Sequence, residues 1–390
     1  MRLQLTRVLV IAVGLAAGAP ASAKHPRIEA AAEMAVYTDT DHVTVSSPSG
    51  SLTVSDEKAG WSVGGHYLLD AVSAASVDIV SSASPHWSEY RHAGGLNLSI
   101  KKRGVQVTAT GSVSSEPDYL SLSAGVMLSV ELRDKNFVPF VGVNYIHDDV
   151  GRTGLDRSRW ELLQRAEIQG GMTFVINRSV IASLQLDVDL ERGYLAKPYR
   201  YIPLFAPGTG RDVPAGASPA LVNDLRLDQR PLESLPSARD RYALTGRIAG
   251  RVGRTTLRLD ERVYTDSWGM WASTTDARVM VDASNRVLVW PQLRYHGQSA
   301  VAFWQRAYEV IPLADGTTAL PSLRAGDREL STLHTITLGL GLKAQLTRIG
   351  RTPWFFSALV SGAYTLYPDA LYITQRWSVF SSMGLSVVWE

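Results

Sequence analysis

Arginines stand at even spacings in one run: Arg239, Arg241, Arg247 and Arg251. A second run places acids at the same period: Asp187, Asp189 and Glu191. Arg165 and Glu167 precede them; Arg258, Asp260, Arg262 and Arg294 follow. Even spacing sends every side chain of a run to one face of a β-strand. Opposite charges on the same face of neighbouring strands pair across a sheet. Such ladders can do two things. They can set up a transverse field that orients charged solutes in a constriction. They can also form a satisfied ion-pair network that braces a wall and closes the space inside it. They are not a catalytic set. The eight His residues are dispersed, and HExxH, GxSxG, P-loop and dinucleotide fingerprints are absent. Zero Cys excludes thiolate metal sites, cysteine nucleophiles and a disulfide framework. His147-Asp148-Asp149 reads as a solvated loop cluster. The chain is expected to be no enzyme and to use no cofactor or metal.

The elements that carry these charges are strands. In Val180–Glu191, Val180, Ala182, Leu184, Leu186, Val188 and Leu190 alternate with polar residues. Leu120–Leu132, Arg239–Val252 and His334–Gln345 alternate in the same way. These runs are longer than the roughly five or six residues of an ordinary globular strand. A tilted strand that crosses an outer membrane needs about nine to eleven. Length and alternation together predict an all-β fold, a transmembrane antiparallel β-barrel. Lipid exposure of an arginine at mid-membrane costs about 2–4 kcal/mol, so the charged faces are expected to line the lumen. Fifteen alternating runs can be delimited, from 34–46 to 373–389. Single-chain bacterial barrels have even strand numbers, so about sixteen strands are expected. The missing strand would come from a break near Gly297 within Leu288–Ile311. Otherwise the first run lies outside the wall and the count is fourteen. Long polar links at 192–238 and 312–331 read as outer loops. The aromatics Trp268, Trp271, Trp290, Trp304, Trp354, Phe355, Phe356, Tyr364, Tyr367, Tyr372 and Trp377 read as interfacial girdles.

Both ends of the chain fit export. Residues 1–23 combine Arg2 and Arg7, an apolar stretch Val8–Ala17, and Ala21-Ser22-Ala23. This is the pattern of a secretory signal peptide cleaved after Ala23. A short segment, 24–33, would then lead into a barrel over 34–390. The peptide carries two arginines and no acid, so the formal charge of +2 leaves with it. A neutral chain gives no reason to expect nucleic acid. Outer-membrane lipid is the expected surrounding. The last strand carries Gly384, Val387 and Trp389 in a pattern that resembles the C-terminal signal read by the barrel-assembly machinery. Glu390 after the final aromatic departs from it by one residue.

Two tandem octads, DAVSAASV and DIVSSASP, run from Asp70 to Pro85, with Asp70, Ser73 and Ser76 in register with Asp78, Ser81 and Ser84. Small residues and serines suit close packing and local hydrogen bonds, so the repeat reads as structural. Three stretches, 66–92, 264–275 and 293–304, carry a wider likeness. Through them the chain resembles a family of proteobacterial outer-membrane barrels known only as a domain of unknown function. The resemblance implies a fold and a location, with no substrate and no catalytic residues. The expected function is a channel that passes small hydrophilic or charged solutes through a polar lumen. An export barrel, for example for a polysaccharide, and a closed structural or partner-binding barrel stay open beside it.

Overall fold

Alternation over twelve to seventeen residues gives each strand one apolar and one polar face. The arrangement that buries neither face wrongly is a closed ring with lipid outside and water inside. The computed structural model describes residues 26–74, 87–349 and 352–389. Its wall is formed by β1 (Arg27–Asp39), β2 (Val43–Asp56), β3 (Trp61–Ala74), β4 (Trp87–Lys102), β5 (Val105–Glu116), β6 (Tyr119–Val130), β7 (Phe137–Val150) and β8 (Glu161–Asn177). It continues with β9 (Val180–Gly193), β10 (Ala238–Val252), β11 (Thr255–Asp266), β12 (Trp271–Ser284), β13 (Val287–Gln298), β14 (Leu333–Ile349), β15 (Thr352–Leu366) and β16 (Gln375–Trp389). The sixteen pair antiparallel in sequence order. β16 closes on β1, from Ile28↔Trp389 to Asp39↔Ser378. Closure removes the free edges that would otherwise template aggregation. On the outer face Leu338 is 64% and Leu340 62% exposed. Bare leucines at that level are covered only by lipid. Glu261 interrupts the apolar band, where its carboxylate accepts the Ser273 and Thr275 hydroxyls at 2.7 and 2.5 Å.

The sixteenth strand lies at the N-terminal side. Asp39 Oδ1 accepts the N–H groups of Asp41 and Val43, and His42 takes a positive φ of 60°. The chain therefore turns inside the run 34–46, which is the end of β1 and the start of β2. Residues 27–33 belong to the wall rather than to a segment before it. Leu288–Ile311 holds one wall strand, β13, after which the chain leaves the barrel at Ser299. The signal-peptide segment 1–23 and Ser76, Asp78, Ser81 and Ser84 of the octads lie outside the described residues.

The long connections all lie at one end of the barrel. Short turns, such as Arg103–Gly104 and Gly253–Arg254, lie at the end that holds the first residue of β1 and the last of β16. The links 194–237, 299–332 and 367–374 lie at the opposite end. Outer-membrane barrels put short turns in the periplasm and long loops outside.

The apolar core sits in the long links. Ile202, Leu204, Phe205, Val213, Val222 and Tyr367 are fully buried, and all lie outside the wall strands. Leu204-Phe205 pairs in parallel with Tyr308-Glu309. A short helix, Pro219–Leu225, starts where Ser218 Oγ accepts the Leu221 N–H and Pro219 supplies a fixed φ. Together these segments form a folded cap. It accounts for several aromatics assigned above to girdles: Trp268, Trp304, Tyr367 and Tyr372 pack in the cap. By register Trp290 and Phe355 face the lumen. Trp271, Trp354, Phe356, Tyr364 and Trp377 face outward.

Candidate channel lumen

The lumen has two unlike halves. From β2 to β7 its wall is made of small polar side chains, among them Ser51, Thr53, Asn97, Thr110, Ser123 and Asn144. Hydroxyls pair across strands, as Ser112 with Ser123 at 2.7 Å and Ser99 with Thr108 at 2.8 Å. Short side chains leave space, and cavities of about 610 and 350 Å³ lie along this half. Glycine contributes by close approach. A Cβ on Gly64 would stand 2.2 Å from Asn97 Oδ1, and one on Gly95 2.6 Å from the His66 ring. Asn97 and His66 can therefore lie flat along the wall.

From β8 to β13 the wall is charged. Register pairs Arg239 with Glu191, Arg241 with Asp189 and Thr245 with Gln185, so all share the inner face. Arg241 reaches Glu191 at 2.8 Å and Asp189 at 3.6 Å. Arg262 reaches over β10 to Asp187 at 2.6 Å. Arg247 binds Asp260 directly opposite at 3.0 Å, and Arg258 binds the same Asp260 at 2.6 Å. Arg251 pairs with Asp282 at 2.5 Å. Arg165 pairs with the fully buried Asp148 at 2.9 Å. Glu167 accepts the Asn144 amide at 2.9 Å. The Arg294 side chain is exposed to the lumen and has no ion-pair or hydrogen-bond partner among the described residues. The acid opposite it, Asp276, is engaged by Arg278 at 2.8 Å and by Gln292 at 2.5 Å.

Spacing alone brought the ladder of β9 to the ladder of β10, but only part of the pairing runs between them. Arg239, Arg247 and Arg251 turn the other way, to Asp266, Asp260 and Asp282. Asp266, Asp276, Arg278 and Asp282 escaped the sequence reading, although Asp276 and Arg278 show the same period of two. Asp148 escaped because His147-Asp148-Asp149 reads as loop; it lies in β7, with Asp148 inward and His147 and Asp149 outward. Asp70 faces the lumen as well, taking the Ser47 hydroxyl at 2.5 Å beside Arg91 at 3.7 Å. Ser73 lies in β3. Gly384, Val387 and Trp389 lie in the closing strand, where Gly384 is opposite Glu33 of β1.

The cap covers the mouth at the long-loop end. Tyr199, in link 194–237, donates to Asp118 at the β5–β6 turn at 2.5 Å. Gly216, in the same link, donates to Ala370 between β15 and β16 at 3.0 Å. Those two turns stand on nearly opposite sides of the ring. Arg328 reaches Asp41 between β1 and β2 at 2.6 Å. At the base, Asp266 takes Arg239 at 2.5 and 2.9 Å, Tyr264 Oη at 2.8 Å and the Trp268 and Met270 N–H groups at 2.9 and 3.0 Å. The Trp268 ring lies 4.2 Å from the Arg239 guanidinium carbon.

An ion-pair cluster lies inside the cap. Arg200 joins Glu233 at 3.4 Å to Asp327 at 2.8 Å. Burial pushes the Glu233 carboxyl up despite Arg200. Burial would also raise Asp327, but Arg200 and the Glu329 N–H outweigh it and hold that carboxyl below the usual range. Glu309 accepts the Gly208 and Gly210 N–H groups at 2.8 and 2.7 Å, which lowers its pKa.

Comparison with solved structures returns barrels. A bacterial polysaccharide outer-membrane secretin is 6% identical with a TM-score of 0.47, over 94% of this chain and 99% of that one. The siderophore receptor PirA from Acinetobacter baumannii is 8% identical with a TM-score of 0.43, over 87% of this chain and 53% of the receptor. The outer-membrane protein opdK from Pseudomonas aeruginosa is 7% identical with a TM-score of 0.41, over 93% and 99%. No curated protein matches the sequence. One family model covers half of the chain, residues 161–357, and so contains the charged half of the wall and both long cap links. The resembling stretches 264–275 and 293–304 fall within it, and 66–92 falls outside. The chain belongs to that family, described as "Protein of unknown function (DUF3570)".

Proposed function

We propose that this outer-membrane barrel is a channel for small hydrophilic or charged solutes. The observation that carries the reading is the division of the lumen. Unfilled space along the Ser/Thr/Asn half faces an arginine–carboxylate ladder across the same cross-section. A solute would slide along hydroxyls while its charges meet the ladder, whose low-dielectric surroundings focus the field. Most ladder charges are already paired, so Arg294 and Glu167, which have no ion-pair partner among the described residues, are the positions from which selectivity would be set. In this reading Arg165, Asp187, Asp189, Glu191, Arg239, Arg241, Arg247, Arg251, Arg258, Asp260 and Arg262 hold the wall in shape and frame the constriction. A signal peptide cleaved after Ala23 would direct export. Gly384, Val387 and Trp389 would be read by the barrel-assembly machinery, and Asp70 with the octad serines would order the β3–β4 link. The reading assigns no reaction and no cofactor.

A second reading is favoured by the cap. A mouth bridged by a packed apolar core suits a closed, partner-binding or structural barrel, or an export barrel opened by a partner. Liposome swelling with sugars of graded size separates the two. Swelling that falls off with sugar size supports the channel. A folded but silent barrel supports the closed form.

A further inference from the structure

Every described turn at the end that holds the first residue of β1 and the last of β16 carries a basic residue. In chain order they include Lys58, Arg103, Arg133, Arg178, Arg254 and Arg286. All six are exposed, and none has an ion-pair partner among the described residues. The acids at the same end are mostly engaged. Glu57 and Glu29 share Arg27, Glu131 holds Lys101, and Asp282 holds Arg251. Asp134 is the exception, and it sits in a turn with both Arg133 and Lys135. Turn geometry does not ask for these cations. Arg103 and Arg133 take φ of 52° and 49°, a conformation that Gly or Asn adopts with less strain. The positive charge therefore needs another explanation.

It continues inward. Lys343 faces the lumen near this end, over the Phe355 ring at 5.4 Å and without a carboxylate partner among the described residues. Deeper lies the unpaired Arg294. At the opposite end Asp41, Asp118 and Glu329 are tied up in contacts with the cap. We propose that the short-turn end is an electropositive collecting rim. The solutes of this channel are then small anions bearing carboxylate, phosphate or sulfate groups, met first at that end. The substrate class rests on the channel reading above. Phosphate groups of lipid could meet the same turns, but lipid does not reach Lys343 or Arg294 inside the barrel, which favours a solute.

The test uses the full chain and a fivefold variant, Arg103→Gln, Arg133→Gln, Arg178→Gln, Arg254→Gln and Arg286→Gln. A fivefold Arg→Lys version keeps the charge. Should the Gln variant fail to fold, the pair Arg254→Gln and Arg286→Gln replaces it. Binding of the trisulfonated dye pyranine to detergent-solubilised protein is read by fluorescence anisotropy at about 0.05 M and about 0.5 M salt. Anion-over-cation permeability is read from reversal potentials in neutral and in phosphatidylglycerol-containing bilayers. The rim predicts pyranine binding that weakens about tenfold or more with salt and with the Gln changes, and persists with Lys. It predicts a permeability ratio above one that falls toward one in the Gln variant. Ring-dependent dye binding with no current leaves the rim standing and removes the channel. Current that is indifferent to the ring, with no dye binding, keeps the channel and overturns the rim. An effect confined to phosphatidylglycerol bilayers assigns the cations to lipid headgroups and also overturns it.

Discussion

Replacing Asp266 by Ala should loosen the cap without opening the barrel. The carboxylate is fully buried and accepts five hydrogen bonds, from Arg239 Nε and Nη2, Tyr264 Oη and the N–H groups of Trp268 and Met270. Its removal leaves the Arg239 guanidinium, only 9% exposed, with the Trp268 ring and the Met270 sulfur at 4.0 Å. Breaking a buried pair from one side costs about 3–5 kcal/mol, because a charge stays buried without its counter-charge. The N–H groups of the buried Trp268 and Met270 also lose their acceptor, which places the cost toward the upper end of that range. At 1.4 kcal/mol per tenfold, the fraction of molecules with an open cap should rise about 10²- to 10³-fold or more. Limited proteolysis reads that fraction directly when opening and closing outpace cleavage. Cleavage within links 194–237 and 299–332 should accelerate by that factor. The heat-dependent electrophoretic shift of the barrel should persist, since the wall ladder from β10 to β12 remains. Asp266→Asn keeps an acceptor for the two N–H groups and should fall between wild type and Ala. Cleavage of Asp266→Ala within about threefold of wild type, less than the 1.4 kcal/mol of one decade, would refute the role given to this residue.

Other consequences can be checked separately. Arg294→Gln should lower anion preference measured by reversal potential, whereas Arg258→Gln should alter stability more than selectivity because Arg258 is bound to Asp260. Acid should loosen the cap at Glu309. Its pKa is lowered by the Gly208 and Gly210 N–H groups, so its stabilisation is present above the unfolded value of about 4.3 and is lost as pH falls through the lower folded value. Cap cleavage rates measured from neutral pH into that range should rise, and Glu309→Gln should flatten the rise. Gly341→Ala should force a side chain to move. Its Cβ would stand 2.0 Å from the Trp290 ring, so Trp290 must swing into the lumen, and its fluorescence and the single-channel conductance should both change.

How much of this was legible depended on local period. Along β9, β10 and β11 the charges alternate cleanly with leucines, and the inner face follows from sequence alone. The N-terminal strands were harder. Ala30–Ala32 and Ser46-Ser47 blur the alternation, so the turn at Asp39–Val43 disappeared into one apparent strand. The cap was not legible at all. Ile202, Leu204 and Phe205 follow no helical or strand period, and their partners Tyr308 and Val310 lie about a hundred positions onward. Only the closed ring brings those links together. Direction of pairing was equally hidden: Arg239 can turn to Glu191 or to Asp266, and the second choice depends on the β11–β12 turn wrapping N–H groups round the same carboxylate.

In the proposed channel, water-filled space along the Ser/Thr/Asn half of the lumen connects the two sides of the membrane. Swelling of liposomes that contain the folded protein, driven by sugars from pentose to trisaccharide, tests it most directly. An open path gives swelling that is fast with the pentose and declines with size, and that speeds up in Asp266→Ala as the cap loosens. A barrel that is folded, inserted and silent to every sugar, with Asp266→Ala equally silent, would contradict it.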